Sequence, residues 1–116
     1  MRNSNTRARC EKRTLKKCKG VCRTYSDIQS TMADYLENDE NIKEYICNYA
    51  LTDFSLKDGN YTSDFFCKTV DGDMIVYECV FQKHLTRTLT YTLLDASRTY
   101  WLKRGVKWRL VVDASK

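Results

Sequence analysis

The chain switches between stretches where apolar residues recur at helical spacing and stretches where they recur at every second position. Behind Ser26, a fair N-cap, Ile28, Met32, Tyr35 and Leu36 share one helical face. The polar run 37–41 ends that helix. From 45 to 56 the pattern is extended, with Tyr49, Leu51 and Phe54 as buried contacts, and Asp58-Gly59-Asn60 is a strong turn signal. Residues 61–70 form a second strand, Asp71-Gly72 a tight hairpin turn, and residues 74–82 a third strand. Alternation along that third strand puts Val76, Glu78 and Val80 on one face and Tyr77, Cys79 and Phe81 on the other.

The stretch after His84 fits two periods. Residues 85–92 alternate like a strand and are rich in threonine, yet Leu89, Leu93, Ala96, Tyr100 and Leu102 also suit a helix closed by Gly105. We read 83–87 as a loop and 88–104 as helix. Val106, Trp108, Leu110 and Val112 alternate with Lys107 and Arg109, which makes a final strand. The order helix, three strands, helix, strand predicts an α/β domain. A crossover helix after an antiparallel meander brings the last strand into a mixed sheet flanked by helices.

At 116 residues and 42% hydrophobic content, the chain suits one domain with a real core. No apolar run approaches the ~18 residues that span a bilayer, and the start is basic and polar, unlike a secretory signal. The expectation is a soluble, cytoplasmic protein that does not engage a membrane.

Charge divides the chain. Residues 1–24 carry Arg2, Arg7, Arg9, Lys12, Arg13, Lys16, Lys17, Lys19 and Arg23 against Glu11 alone, so the remainder of this +5 chain is mildly acidic. We therefore separate a basic N-terminal arm (1–24) from a domain (25–116). Arg9, Lys12, Arg13, Lys16, Lys17, Lys19 and Arg23 are the candidate nucleic-acid contacts. A disordered, solubilising tail is the plainer alternative.

Six cysteines, at 10, 18, 22, 47, 67 and 79, come without a secretory signal. Cys67 and Cys79 lie in apolar strand segments, as small buried hydrophobes do. Cys10, Cys18 and Cys22 lie in the basic arm. Structural zinc there would need a fourth ligand such as Cys47 or His84, and the two-residue gap of paired zinc cysteines is missing. Reduced, unligated thiols are the expected state.

The candidate chemistry sits on the hairpin. Asp64, near the start of one strand, and Glu78, far along the next, meet at one end of it. Paired carboxylates so placed hold a divalent cation against a phosphodiester in many nucleases. Asp64 lies between Tyr61 and Phe65-Phe66, a setting in which an unpartnered acid is costly. Solvated acids flanking a hairpin are the bland alternative. The lone His84 reads as a polar loop residue. Tyr100, Trp101 and Trp108 read as core, and no Ser/His/Asp set or phosphate-cradling glycine loop is visible.

Three segments carry a resemblance. They are residues 36–42 with Tyr45, the run Tyr61-Thr62-Ser63-Asp64-Phe65 with Asp71-Gly72, and Arg98-Thr99-Tyr100-Trp101 through Gly105 to Asp113. Residues 25–113 resemble the N-terminal domain of TnsA-like endonucleases of heteromeric bacterial transposons. That family belongs to the PD-(D/E)xK, restriction-endonuclease-like class. The resemblance implies an αβββαβ core and a Mg²⁺ or Mn²⁺ site. It puts Asp64 and Glu78 at the metal-binding acids, Gln29 where the family has a helix glutamate, and Val80 where it has lysine.

Two of four expected groups are thus replaced. Gln29 brings no charge and Val80 nothing polar, so cation affinity and rate should both fall, the latter by ~10²–10³ for one lost stabilising group. Lys68 is the better substitute lysine, with Lys83 second, and Asp27 is the candidate stand-in for the helix carboxylate. The implied function is a mobile-element or phage-derived protein that binds DNA or a protein partner such as a transposase, with cleavage weak or lost. An active metal-dependent endonuclease and a partner-binding regulator or inhibitor are the alternatives.

Overall fold

Ser26 starts the first helix as a cap: its Oγ accepts the N–H of Gln29 at 3.4 Å. In the computed structural model, which describes residues 10–54 and 61–113, this helix, α1, runs Asp27–Asn38. It buries Ile28, Gln29, Met32, Ala33 and Leu36 on one face. Two three-residue strands precede it, β1 (Glu11–Arg13) and β2 (Cys22–Thr24), paired antiparallel as a small ribbon. After α1 come β3 (Ile42–Ala50), β4 (Thr62–Thr69), β5 (Met74–Phe81), a 3₁₀ turn at Gln82–His84, α2 (Thr88–Lys103) and β6 (Lys107–Asp113). Arg9, Leu56 and the turn at Asp58-Gly59-Asn60 lie outside the described residues.

The sheet order is β3-β4-β5-β6, antiparallel except that β6 runs parallel to β5. This is an α/β domain with a mixed four-stranded sheet and two helices. The β4–β5 hairpin turns at Gly72, whose φ of 91° is open to glycine at little cost. The end of α2 forms a Schellman closure, with the Val106 N–H on the Trp101 carbonyl and the Gly105 N–H on that of Leu102. Met32, Ala33 and Leu36 of α1 pack with Tyr45, Phe65 and Cys67 on one side of the sheet. Trp101 of α2 packs with Val76, Val106, Phe66 and Trp108 on the other.

From Cys10 onward the basic segment is folded. Cys18 and Cys22 are buried in the α1-side core. The backbone at Cys18 runs parallel to β3, with the Lys19 N–H on the Tyr45 carbonyl at 2.8 Å and the Tyr45 N–H on that of Lys17 at 3.0 Å. Three-residue strands carry no readable periodicity, which is why the ribbon does not show in the sequence.

The sheet has a crease. Cys47 packs in the α1-side core and Tyr49 in the α2-side core, although they are two residues apart. Opposite them, Phe65 faces α1 while Ser63 bonds to residues of α2. Regular pleating keeps positions i and i+2 on one face. Both strands switch face across Asn48, whose φ is 55°, and Asp64. On β6 the expected inward row is only half kept. Val106 is buried, but Leu110 and Val112 are 37% and 42% exposed, because this strand is the open edge of the sheet.

Candidate functional site: a buried carboxylate fork

The β4–β5 ladder runs from Lys68↔Met74 to Phe65↔Tyr77 and stops one step before Asp64 and Glu78. The two carboxylates therefore stand where the strands part, and both are buried. The crease turns them toward different layers. Asp64 Oδ1 accepts from Gln29 Nε2 of α1 at 3.0 Å, and Oδ2 takes the backbone N–H of Cys79 at 2.7 Å. Gln29 is itself fixed, its Oε1 accepting the Tyr25 N–H at 2.7 Å.

Glu78 is held from the α2 side. Its Oε2 accepts from Ser63 Oγ at 2.7 Å, from Trp108 Nε1 at 3.3 Å and from Ser97 Oγ, while Oε1 accepts from the Tyr61 hydroxyl. Trp101 Nε1 in turn donates to Ser63 Oγ at 2.9 Å. Three donors thus crowd one oxygen of this carboxylate and one meets the other. Burial, and then the charge of Asp64, push the Glu78 carboxyl up to about 7, against the pull of the Ser63, Ser97 and Tyr61 hydroxyls.

A hard divalent cation needs several oxygen ligands open to it, and at this pair it would compete with hydrogen bonds already made. Every carboxylate oxygen has a protein donor, and the uncharged Gln29 amide stands beside Asp64. Val80, half-buried on β5, pairs with Val112 of β6. Lys68 lies at the other end of β4, exposed, with its ammonium 3.9 Å from Glu44. Counting parity from Asp64 to Lys68 fails because the switch of face falls at Asp64 itself: Asp64 meets Gln29 of α1, while Phe66 packs on the α2 side. Lys83 is exposed in the 3₁₀ turn, and Asp27 is exposed at the start of α1. Grooves of about 470 Å³ between α2 and β6 and about 450 Å³ between α1 and β6 are lined by neither acid.

The partners of Glu78 escaped the sequence reading. One signal was available: Leu93, Ser97 and Trp101 form an i, i+4, i+8 stripe, and a serine on a buried helical stripe points to a buried acceptor.

The basic residues divide into two groups. Arg13 is paired with Asp34 at 2.8 Å. Lys17 Nζ donates to the Asp39 carbonyl at 2.8 Å and to that of Leu36, closing the end of α1. Lys19 sits 3.3 Å from Glu44. Lys12, Lys16 and Arg23 are exposed and make no ion pair among the described residues. Lys12 and Arg23 face each other across the β1–β2 ribbon.

Three thiols also converge. The sulfurs of Cys18, Cys22 and Cys47 lie within 4.8 Å of one another, close enough to hold one metal ion together. Cys47, named from the sequence as a possible fourth ligand, belongs to this cluster, and Cys10 and His84 do not. In comparisons with known proteins, no family model matches the chain and no curated relative is found.

Proposed function

We propose that this is a TnsA-like, restriction-endonuclease-fold protein that binds DNA through the outer face of its β1–β2 ribbon and has lost cleavage. The observation that carries the reading is the Lys12–Arg23 pair. Like charges directly opposite on a ribbon are destabilising, by roughly the 0.2–1 kcal/mol that a favourable pair contributes. Here no acid relieves them among the described residues, while Arg13, Lys17 and Lys19 on the same segment all have partners. A phosphate backbone supplies the missing counter-charge, and a two-stranded ribbon is narrow enough for the major groove.

The order α1-β3-β4-β5-α2-β6 supports the fold assignment, and the position of both acids at the strand fork supports a descent from a metal-dependent site. Loss of cleavage is supported by Gln29 and Val80 at the two replaced positions and by the donors that occupy Glu78. The protein would then act with a partner, such as a transposase or other mobile-element component, that performs the chemistry.

Fluorescence anisotropy with labelled duplex DNA tests this. Binding should weaken steeply between 50 and 200 mM salt, with a log–log slope near −0.9 for each phosphate neutralised. Lys12→Glu with Arg23→Glu should abolish it, and Asp64→Ala should leave it intact. Absence of binding at low salt overturns the DNA reading in favour of a partner-binding regulator. Nicking of supercoiled plasmid in Mn²⁺, lost in Asp64→Ala, overturns the loss of cleavage in favour of an active endonuclease.

A further inference from the structure

We propose that Cys18, Cys22 and Cys47 form a zinc site that fastens the basic ribbon to the sheet. The Sγ atoms of Cys18 and Cys47 are 3.7 Å apart and those of Cys47 and Cys22 are 3.1 Å apart. Zn–S bonds of about 2.3 Å at the tetrahedral angle set sulfurs about 3.8 Å apart. One pair already has that spacing, a second reaches it by opening slightly, and the third, Cys18 with Cys22, lies within 4.8 Å.

The backbone holds the three positions before any ion arrives. Cys22 is fixed by the β1–β2 ladder opposite Arg13, Cys47 by the β3–β4 ladder opposite Phe65, and Cys18 by its bridge to Tyr45. Three separate stretches of backbone are thus locked with their thiols in mutual contact. Buried cysteines that serve only as small hydrophobes pack among apolar groups, as Cys67 does in the same core.

Arg13 gives an independent pointer. It is the cross-strand partner of Cys22, and its Nε is buried without a hydrogen-bond acceptor, the Glu11 carboxylate standing 3.7 Å away. A metal-bound thiolate would supply one. Zn²⁺ with three thiolates carries one net negative charge, which Arg13, shared with Asp34, offsets in part, and solvent completes the tetrahedron. Register sets Cys10 three residues from the Arg13↔Cys22 step, about 10 Å along the ribbon, so it stays outside. Binding releases the thiol protons, so it strengthens as pH rises.

The test is metal analysis of the full chain purified with reductant and without chelator. One zinc per chain is expected, lost in Cys22→Ser and Cys47→Ser and kept in Cys10→Ser. Those two variants risk misfolding, so Co²⁺ titration of the wild-type chain provides a second readout. It should show thiolate-to-cobalt charge-transfer absorption with the intensity of three thiolates and a tetrahedral ligand-field spectrum. Failure of the wild-type chain to retain zinc or bind cobalt overturns the site. So does a Cys22–Cys47 disulfide in the freshly purified chain, and so does loss of zinc from Cys10→Ser. None of these outcomes depends on whether the protein binds DNA.

Discussion

Glu78 is buried beside the charge of Asp64, and that shapes its response to pH. Its carboxyl is raised from an ordinary 4.5 to about 7. Below about 4.5 it is protonated in both folded and unfolded chains and contributes no pH dependence. Between about 4.5 and 7 the unfolded chain releases the proton that the folded chain keeps, so folding becomes progressively less favourable as pH rises. The full cost above pH 7 is on the order of 3 kcal/mol. Urea denaturation at pH 5 and pH 8 should show this loss in the wild type. Glu78→Gln should flatten it, its amide turned toward the Tyr61 hydroxyl, which is able to accept. A steep slope of the same sign in Glu78→Gln would assign the effect to another group. Sequence reasoning picked out Asp64 because an acid among aromatics is conspicuous, and Glu78 from its place across the hairpin. It could not find that Glu78 is held by four donors, since Tyr61, Ser97 and Trp108 reach it only through folding.

Among the elements, α1, the β4–β5 hairpin and α2 were legible because each carries its own stop signals: Ser26, Asp71-Gly72 and Gly105. The strands were placed to within a few residues, except that β3 begins at Ile42 and stops at Ala50 rather than running from 45 to 56. The crease was illegible. A left-handed Asn48 inside an otherwise continuous strand has no periodic signature, and its side chain is secured by tertiary contact, Nδ2 donating to the Arg23 carbonyl at 2.9 Å. Asn48→Val should destabilise the protein by about 1–3 kcal/mol, because a β-branched residue resists positive φ. Asn48→Gly should cost less, losing the Arg23 contact but no backbone freedom. Equal thermal stability of the two variants would show that the crease is not what Asn48 provides.

At the scale of the whole molecule, the described part of the basic segment, residues 10–24, contributes to the core. Removing residues 1–24 takes away Cys18 and Cys22, the caps that Lys17 gives α1, and the backbone bonds along Tyr45. The truncated chain should lose its cooperative thermal transition by circular dichroism, so a binding defect in it would report unfolding. Charge reversal at Lys12 and Arg23 leaves that packing in place. Among the described residues, no helix is long and apolar enough to cross a membrane.

The track of Lys17 to Lys19 beside β3 also determines how this sheet can grow. With that margin blunted, β6 is the remaining free border among the described residues, and Leu110 and Val112 already lie bare along it. A strand from a second copy added there would find nowhere for a third, so any assembly of this kind closes as a two-fold pair and does not propagate into a fibre.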